Sequence, residues 1–216
     1  MYLAKITLHT SQLLPSQLLQ LVDRGEYAMH QWLWELFPEG PERQFLYRRE
    51  ELQGAFRFFV LSLEPPAESE IFDIQYRPFV PTLIAGQTLC FSLRANPTIC
   101  KGGKRHDLLM EAKRQVRGQV NGPDIWLHQQ QAAQGWLARQ GEQNGFSLRE
   151  VNVDAYRQQQ VVRVKSRQMI QFSSVDYSGV LVVNEPTLFL QRLIQGYGKS
   201  RAFGCGLMLI KPGDDE

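Results

Sequence analysis

A chain of 216 residues can bury one large core or two small ones of about 100 residues each. With 43% hydrophobic residues, including four Trp, twelve Phe and seven Tyr, it cannot be a disordered polymer. A net charge of +2 excludes polyanion binding by overall basicity, so any such surface must come from uneven placement of charge.

In chain order, residues 2–9 alternate as a half-buried strand does, from Tyr2-Leu3-Ala4 through Ile6 to Leu8. Lys5, Thr7, His9 and Ser11 interrupt the apolar run that a signal peptide needs, and no window holds the ~18 apolar residues of a membrane span. A soluble cytoplasmic protein with no membrane contact is expected. Residues 16–37 place Leu18, Leu19, Val22, Met29, Leu33 and Leu36 at helical spacing, with Gly25 able to divide the helix and Pro38, Gly40 and Pro41 ending it. Residues 44–49 and 55–63 read as strands around a polar turn at 50–54, and a short strand fits 71–76 between proline-rich stretches.

A second series opens with the strand 88–96. A basic stretch follows, with Lys101, Lys104, Arg105, Lys113, Arg114 and Arg117 set against Asp107 and Glu111. Such a run is a solvated helix face or loop as readily as a phosphate-binding surface. Residues 124–141 predict a helix through Trp126, Leu127, Ala133, Trp136 and Leu137. Strand material follows at 146–153, 161–165 and 169–183, with a break expected near Ser173. A helix over 186–195 and a last strand over 207–211 complete the order β-α-β-β-α-β, which is ferredoxin-like. The expected fold is α+β, two tandem ferredoxin-like (RRM-like) domains over 1–86 and 87–216, antiparallel sheets with helices on one face. The strand 54–60, Gly-Ala-Phe-Arg-Phe-Phe-Val, faintly resembles an RNA-recognition strand and serves equally well as core. Cys90, Cys100 and Cys205 show no Cys-x-x-Cys spacing, which argues against a zinc site or a disulfide framework.

Between the last helix and strand lies Gly196-Tyr197-Gly198-Lys199-Ser200-Arg201-Ala202-Phe203-Gly204-Cys205-Gly206. Glycines allow positive φ and close approach, and peptide N–H groups in such a loop can face an anion. A P-loop is excluded, since Leu193 stands at its first glycine position and the loop closes a helix instead of opening one. A dinucleotide fingerprint fails as well, with Arg201 and Leu209 where its third glycine belongs. What remains is a basic turn suited to a polyanion backbone, with Gly198, Lys199, Ser200 and Arg201 as contacts.

Four histidines are candidates for proton chemistry near neutral pH. Tyr27 and His30, three residues apart on the first helix, share a face where a phenol and an imidazole can address one substrate group. By itself such a pair is more often packing and surface. No Ser/His/Asp order and no metal-ligand spacing is visible, and Glu50 and Glu51 fall in turn-like sequence. RNA suits this inventory, because its 2′-OH is a built-in nucleophile and one imidazole can serve as general base or acid. Fixed donors in the glycine loop can then meet charge developing on phosphorus.

Five blocks stand out: Met1-Tyr2-Leu3, Tyr27-Ala28-Met29-His30-Gln31 with Leu33-Trp34-Glu35-Leu36-Phe37-Pro38, Phe91-Ser92-Leu93-Arg94-Ala95-Asn96-Pro97, Tyr177-Ser178-Gly179-Val180-Leu181, and the segment from Lys199 to Leu207. Together, and in this order, they resemble the CasE family of CRISPR-associated endoribonucleases, the precursor-RNA-processing subunit of the type I-E Cascade complex. The resemblance implies tandem ferredoxin-like domains and metal- and cofactor-independent cleavage of the CRISPR repeat, 3′ of its stem-loop. It implies 5′-OH and 2′,3′-cyclic phosphate ends, with the crRNA staying bound. His30 takes the family's catalytic position, and Tyr27 falls where a helper stabilises the scissile phosphate. Arg163, Lys165 and Arg167 match the strand that enters the stem groove. Region 97–120 departs from the family pattern, so Lys101, Lys104 and Arg105 are RNA contacts on charge alone. The partners implied are CRISPR repeat RNA and other Cascade subunits, for a chain that is a monomer in isolation. The rival reading is a non-catalytic repeat-RNA-binding subunit of a CRISPR ribonucleoprotein, for which a paired Tyr27 and His30 would be unnecessary.

Overall fold

The structure, a computed structural model, describes residues 1–37, 45–162 and 169–213, without the side chains of Glu26 and Val162. Packing groups the chain into two units. The first contains Met1–Pro81, Gln159–Gln171 and Ala202–Gly204; the second contains Thr82–Gln158, Phe172–Arg201 and Cys205–Glu216.

The first unit runs β1 (Tyr2–His9), α1 (Pro15–Arg24), α2 (Glu26–Glu35), β2 (Phe45–Leu52), β3 (Ala55–Ser62) and β4 (Phe72–Pro78). All pairings are antiparallel in the order β2-β3-β1-β4, the ferredoxin-like arrangement. Register sets Ala4 opposite Val60, Ile6 opposite Phe58 and Leu8 opposite Phe56, which builds one apolar face. Ala28, Met29, Trp32 and Leu33 of α2 join these residues in the core. Gly25, at φ 51 and ψ −125, ends α1 and starts α2, so the expected division of the helix falls on the residue best able to adopt it.

Only the second half of the predicted apolar stripe enters the core. Met29, Leu33 and Leu36 are buried, but α1 buries no residue, and Leu19 and Val22 are 70% and 85% exposed. The second crossover of a ferredoxin-like unit is also altered. Residues 63–71 pass from β3 to β4 without a helix, and the Ala67 N–H donates to the Leu36 carbonyl at 2.8 Å, which fastens the crossing to the end of α2.

The second unit has the full β-α-β-β-α-β order around the central strand β5 (Thr88–Ala95), with an insertion. Leu89, Phe91, Leu93 and Ala95 face its core in strict alternation. The insertion is a hairpin of β6 (Thr98–Lys101) and β7 (Lys104–Asp107) followed by α3 (Leu108–Val116). Then come α4 (Gly122–Gln143), β8 (Phe146–Val162), β9 (Met169–Val183), α5 (Pro186–Gln195) and β10 (Met208–Pro212), in the sheet order β10-β5-β9-β8. The strand expected at 146–153 continues through Val162, with the polar Arg157 and Gln158 at exposed positions on it, and residues 163–165 of the strand expected at 161–165 lie outside the described residues. The break expected near Ser173 is absent. Ser173 through Tyr177 are all buried, so that part of β9 is covered on both faces. No helix among the described residues is long and apolar enough to cross a membrane.

Candidate functional site

The core stripe of α2 leaves Tyr27, His30 and Trp34 on a neighbouring stripe, three and four residues apart. All three are partly buried. The His30 imidazole stacks on the Trp34 ring at 5.8 Å between centroids and 27° between planes. Tyr47 of β2 meets it edge-on at 6.1 Å, and Phe203 lies tilted at 6.2 Å. Phe45 supports Trp34 at 5.6 Å and is itself supported by Phe37 at 4.6 Å. Three rings therefore hold one imidazole in a set orientation. Ala202–Gly204, the end of the glycine loop, belongs to the same packing unit, and the Tyr47 hydroxyl donates to the Ala202 carbonyl at 3.2 Å.

In the second unit the rest of the loop is framed by the end of β5. The Lys199 N–H donates to the Asn96 carbonyl at 3.2 Å, the Gly206 N–H to the Arg94 carbonyl at 2.7 Å, and the Tyr197 N–H to the Gly206 carbonyl at 2.9 Å. The Asn96 amide donates to Ser200 Oγ at 2.7 Å. Ser200 has φ 53, the one positive value outside glycine among the described residues. At Gly198, with φ 72, a Cβ would sit 2.8 Å from the Asn96 oxygen, so the backbone approach requires glycine. Lys199 and Arg201 are exposed, and Arg201 Nη1 also donates to the Gln195 carbonyl at the end of α5. The loop thus spends the N–H groups of Tyr197, Lys199 and Gly206 on the protein itself, and its exposed cations carry its attraction for an anion.

Arg94 is gripped by Asp176 on the neighbouring strand, Nε to Oδ1 at 2.7 Å and Nη2 to Oδ2 at 3.0 Å; Arg157 Nη1 reaches the same carboxylate at 3.1 Å. This forked pairing steadies the strand end that frames the loop. Asn96, Asp176 and Phe203 were not singled out by sequence reasoning. Asn96 and Phe203 fall inside the family-like blocks, but the pairs Asn96–Ser200 and Arg94–Asp176, 104 and 82 positions apart in sequence, are not readable from one chain.

The basic stretch takes shape as the β6–β7 hairpin and α3. Lys104 and Arg105 are exposed on β7, and Gly102 and Gly103, at φ 58 and 72, form the turn. Lys101 is differently placed: its ammonium donates to Glu111 Oε1, and Arg114 stands 3.4 Å from the other oxygen. Glu111 is only 4% exposed, and the hydrogen bond from Lys101 holds its carboxyl below the ordinary value. Burial opposes that shift, while the charges of Lys101, Arg114 and His106 add to it. Asp107 caps α3 by accepting from the N–H groups of Leu109 at 2.8 Å and Met110 at 3.0 Å. It also accepts from the Tyr156 hydroxyl at 2.8 Å, and burial followed by this carboxylate pushes the Tyr156 phenol far up. Both acids of the stretch are thereby engaged with groups of the insertion and of Tyr156, leaving the exposed hairpin tip cationic. Arg163, Lys165 and Arg167 lie outside the described residues. Among the described residues no group of three or more His, Cys, Asp or Glu is placed to hold a metal ion.

The profile of a family described as "CRISPR associated protein" matches residues 1–212. The chain belongs to the CasE family of CRISPR-associated proteins. It is 28% identical over 196 residues to the "CRISPR system Cascade subunit CasE" of Escherichia coli K12, covering 88% of this chain and 93% of that one. It is 29% identical over 217 residues to the "CRISPR-associated endoribonuclease Cse3" of Thermus thermophilus, covering 86% and 90%. A solved structure of CRISPR endoribonuclease Cse3 bound to 19 nt RNA superposes with a TM-score of 0.74 at 26% identity, covering 98% of this chain and 100% of that one. Within this CasE-family chain, the His block and the end of the glycine loop meet in the first unit. The Arg94 to Pro97 block and Gly198 to Arg201 meet in the second.

Proposed function

We propose that this chain is an endoribonuclease that cuts CRISPR precursor RNA within the repeat, 3′ of its stem-loop, without a metal ion, and keeps the mature crRNA as a cytoplasmic subunit of Cascade. The observation that carries this reading is the His30 imidazole held by Trp34, Tyr47 and Phe203, with the end of the glycine loop packed beside it. In the reaction the ribose 2′-oxygen forms a bond to the neighbouring phosphorus and the bond from phosphorus to the 5′-oxygen breaks. The 2′-hydroxyl loses a proton and the leaving 5′-oxygen gains one, giving 2′,3′-cyclic phosphate and 5′-OH ends. His30 moves one of these protons, a role for which an imidazole is suited near neutral pH. Tyr27, one turn earlier on α2, stabilises the scissile phosphate. Lys199 and Arg201, exposed on the glycine loop, attract the phosphates of the bound RNA, and Gly198 and Ser200 give the loop its path. Lys101, Lys104 and Arg105 bind the RNA backbone, as do Arg163, Lys165 and Arg167.

The decisive experiment incubates the protein with its repeat hairpin RNA in EDTA, beside His30→Ala and a substrate with a 2′-deoxy nucleotide at the cut. Cleavage persists in EDTA, falls by two or more orders of magnitude with His30→Ala as expected for lost general acid–base catalysis, and vanishes with the deoxy substrate while binding is retained. A requirement for Mg²⁺ or full activity of His30→Ala overturns the mechanism, and absence of cleavage by the wild-type protein favours the non-catalytic RNA-binding reading.

A further inference from the structure

We infer that Tyr47 is a positioning residue for cleavage, a single buried side chain that sets both the His30 imidazole and the end of the glycine loop. Tyr47 lies on β2 opposite Val60 of β3, inside the core of the first unit, and its ring also touches Phe45 at 6.1 Å and Phe58 at 6.3 Å. A phenylalanine would fill this space equally well. The hydroxyl adds a polar atom to a buried site, which costs free energy unless it is hydrogen-bonded. Here it donates to the Ala202 carbonyl, 155 positions away in sequence, in the short helical turn Arg201–Phe203. Two residues on, a Cβ at Gly204 would stand only 3.2 Å from Tyr47 Cε2, so the loop backbone lies close against the ring.

The same ring meets His30 edge-on at 6.1 Å, and Phe203, carried by the turn that Tyr47 holds, contacts the imidazole at 6.2 Å. Tyr47 therefore acts on the imidazole twice, through its own ring edge and through the turn that presents Phe203. Proton transfer in such a site depends on geometry held to within a fraction of an ångström, and a displacement of about 1 Å can cost two orders of magnitude in rate. The inference rests on the reading of His30 as the group that moves the proton.

The test compares Tyr47→Phe, which keeps the ring and removes the Ala202 bond, with Phe203→Leu, which removes the ring the turn presents. Each is measured for single-turnover cleavage under saturating protein, for affinity toward uncleaved 2′-deoxy repeat RNA, and for melting temperature. Both variants are expected to cleave roughly 10- to 100-fold more slowly while RNA affinity stays within about twofold, and the His30 ring resonances of folded Tyr47→Phe shift in an NMR spectrum. The double variant His30→Ala with Tyr47→Phe is expected to cleave no more slowly than His30→Ala, because Tyr47 acts through His30. A wild-type rate for Tyr47→Phe overturns the inference, as does a further rate loss in the double variant. An inactive His30→Ala beside a fully active Tyr47→Phe sinks this inference alone, whereas an active His30→Ala sinks the proposed mechanism beneath it.

Discussion

Two buried tyrosines in the second unit show how far one oxygen can differ in effect from another. Tyr177 and Tyr197 are both almost wholly buried, and desolvation pushes both phenols far above their ordinary value. The Tyr177 hydroxyl donates to the Ala133 carbonyl at 3.2 Å, whereas that of Tyr197 has no hydrogen-bond partner among the described residues. The Arg192 guanidinium lies over the Tyr197 ring, 5.5 Å from its centroid, and would lie equally over a phenylalanine. Tyr177→Phe should therefore cost ~1 kcal/mol, while Tyr197→Phe should be neutral or stabilise by up to ~1 kcal/mol; urea unfolding of the two variants side by side reads the difference. Nothing local in the sequence separates these tyrosines. His30 and Tyr27 are different, because three residues along a helix is a distance that sequence spacing encodes, and their shared face was legible before any coordinates. The rings that surround His30 were not, since Tyr47 and Phe203 reach it from a strand and a loop distant in sequence.

At the scale of elements, the β6–β7 hairpin and α3 depend on the carboxylate of Glu111. Because its carboxyl titrates lower in the folded chain than in the unfolded one, ionised Glu111 stabilises the fold above its ordinary value of 4.5. That contribution is lost as the pH falls below that value and through the lowered one. Glu111→Gln should thus be less stable than the wild type at pH about 7, with the gap in melting temperature narrowing as pH is taken toward about 3. A gap that stays constant over this range would mean that the ion pair with Lys101 contributes nothing through its charge. The hairpin was hidden because β6 and β7 are four residues each and too polar for an alternation signal, although Gly102-Gly103 is a recognised hairpin turn. The helix-spaced apolar run of α1 was the opposite case. Its pattern predicted a core face, yet Leu19 and Val22 stand in the open, because α1 rests on the core through the partly buried Leu21 while α2 packs Ala28, Met29, Trp32 and Leu33 into it.

On the scale of the whole molecule, a net charge of +2 leaves the RNA affinity to a few placed cations. Lys104→Ala with Arg105→Ala should weaken repeat-RNA binding and flatten its salt dependence, by ~0.7 to 0.9 in the log–log slope for each phosphate no longer neutralised. Lys101→Ala should flatten it less, since Glu111 already neutralises that ammonium; titrations at several salt concentrations measure both, and an unchanged slope for the double variant would mean that its residues are only solvated. Hydrophobic alternation and helical spacing, which are local, were enough to determine an α+β chain in two series of strands and helices, the Gly25 division, the α5–loop–β10 order and the Tyr27–His30 pair. Strand order, the bare crossover at 63–71, the Asn96 frame of the glycine loop and the ring cage of His30 depend on contacts between residues far apart in sequence. Only tertiary packing decides such contacts, because the free energy of each belongs to two segments together and leaves no periodic trace in either.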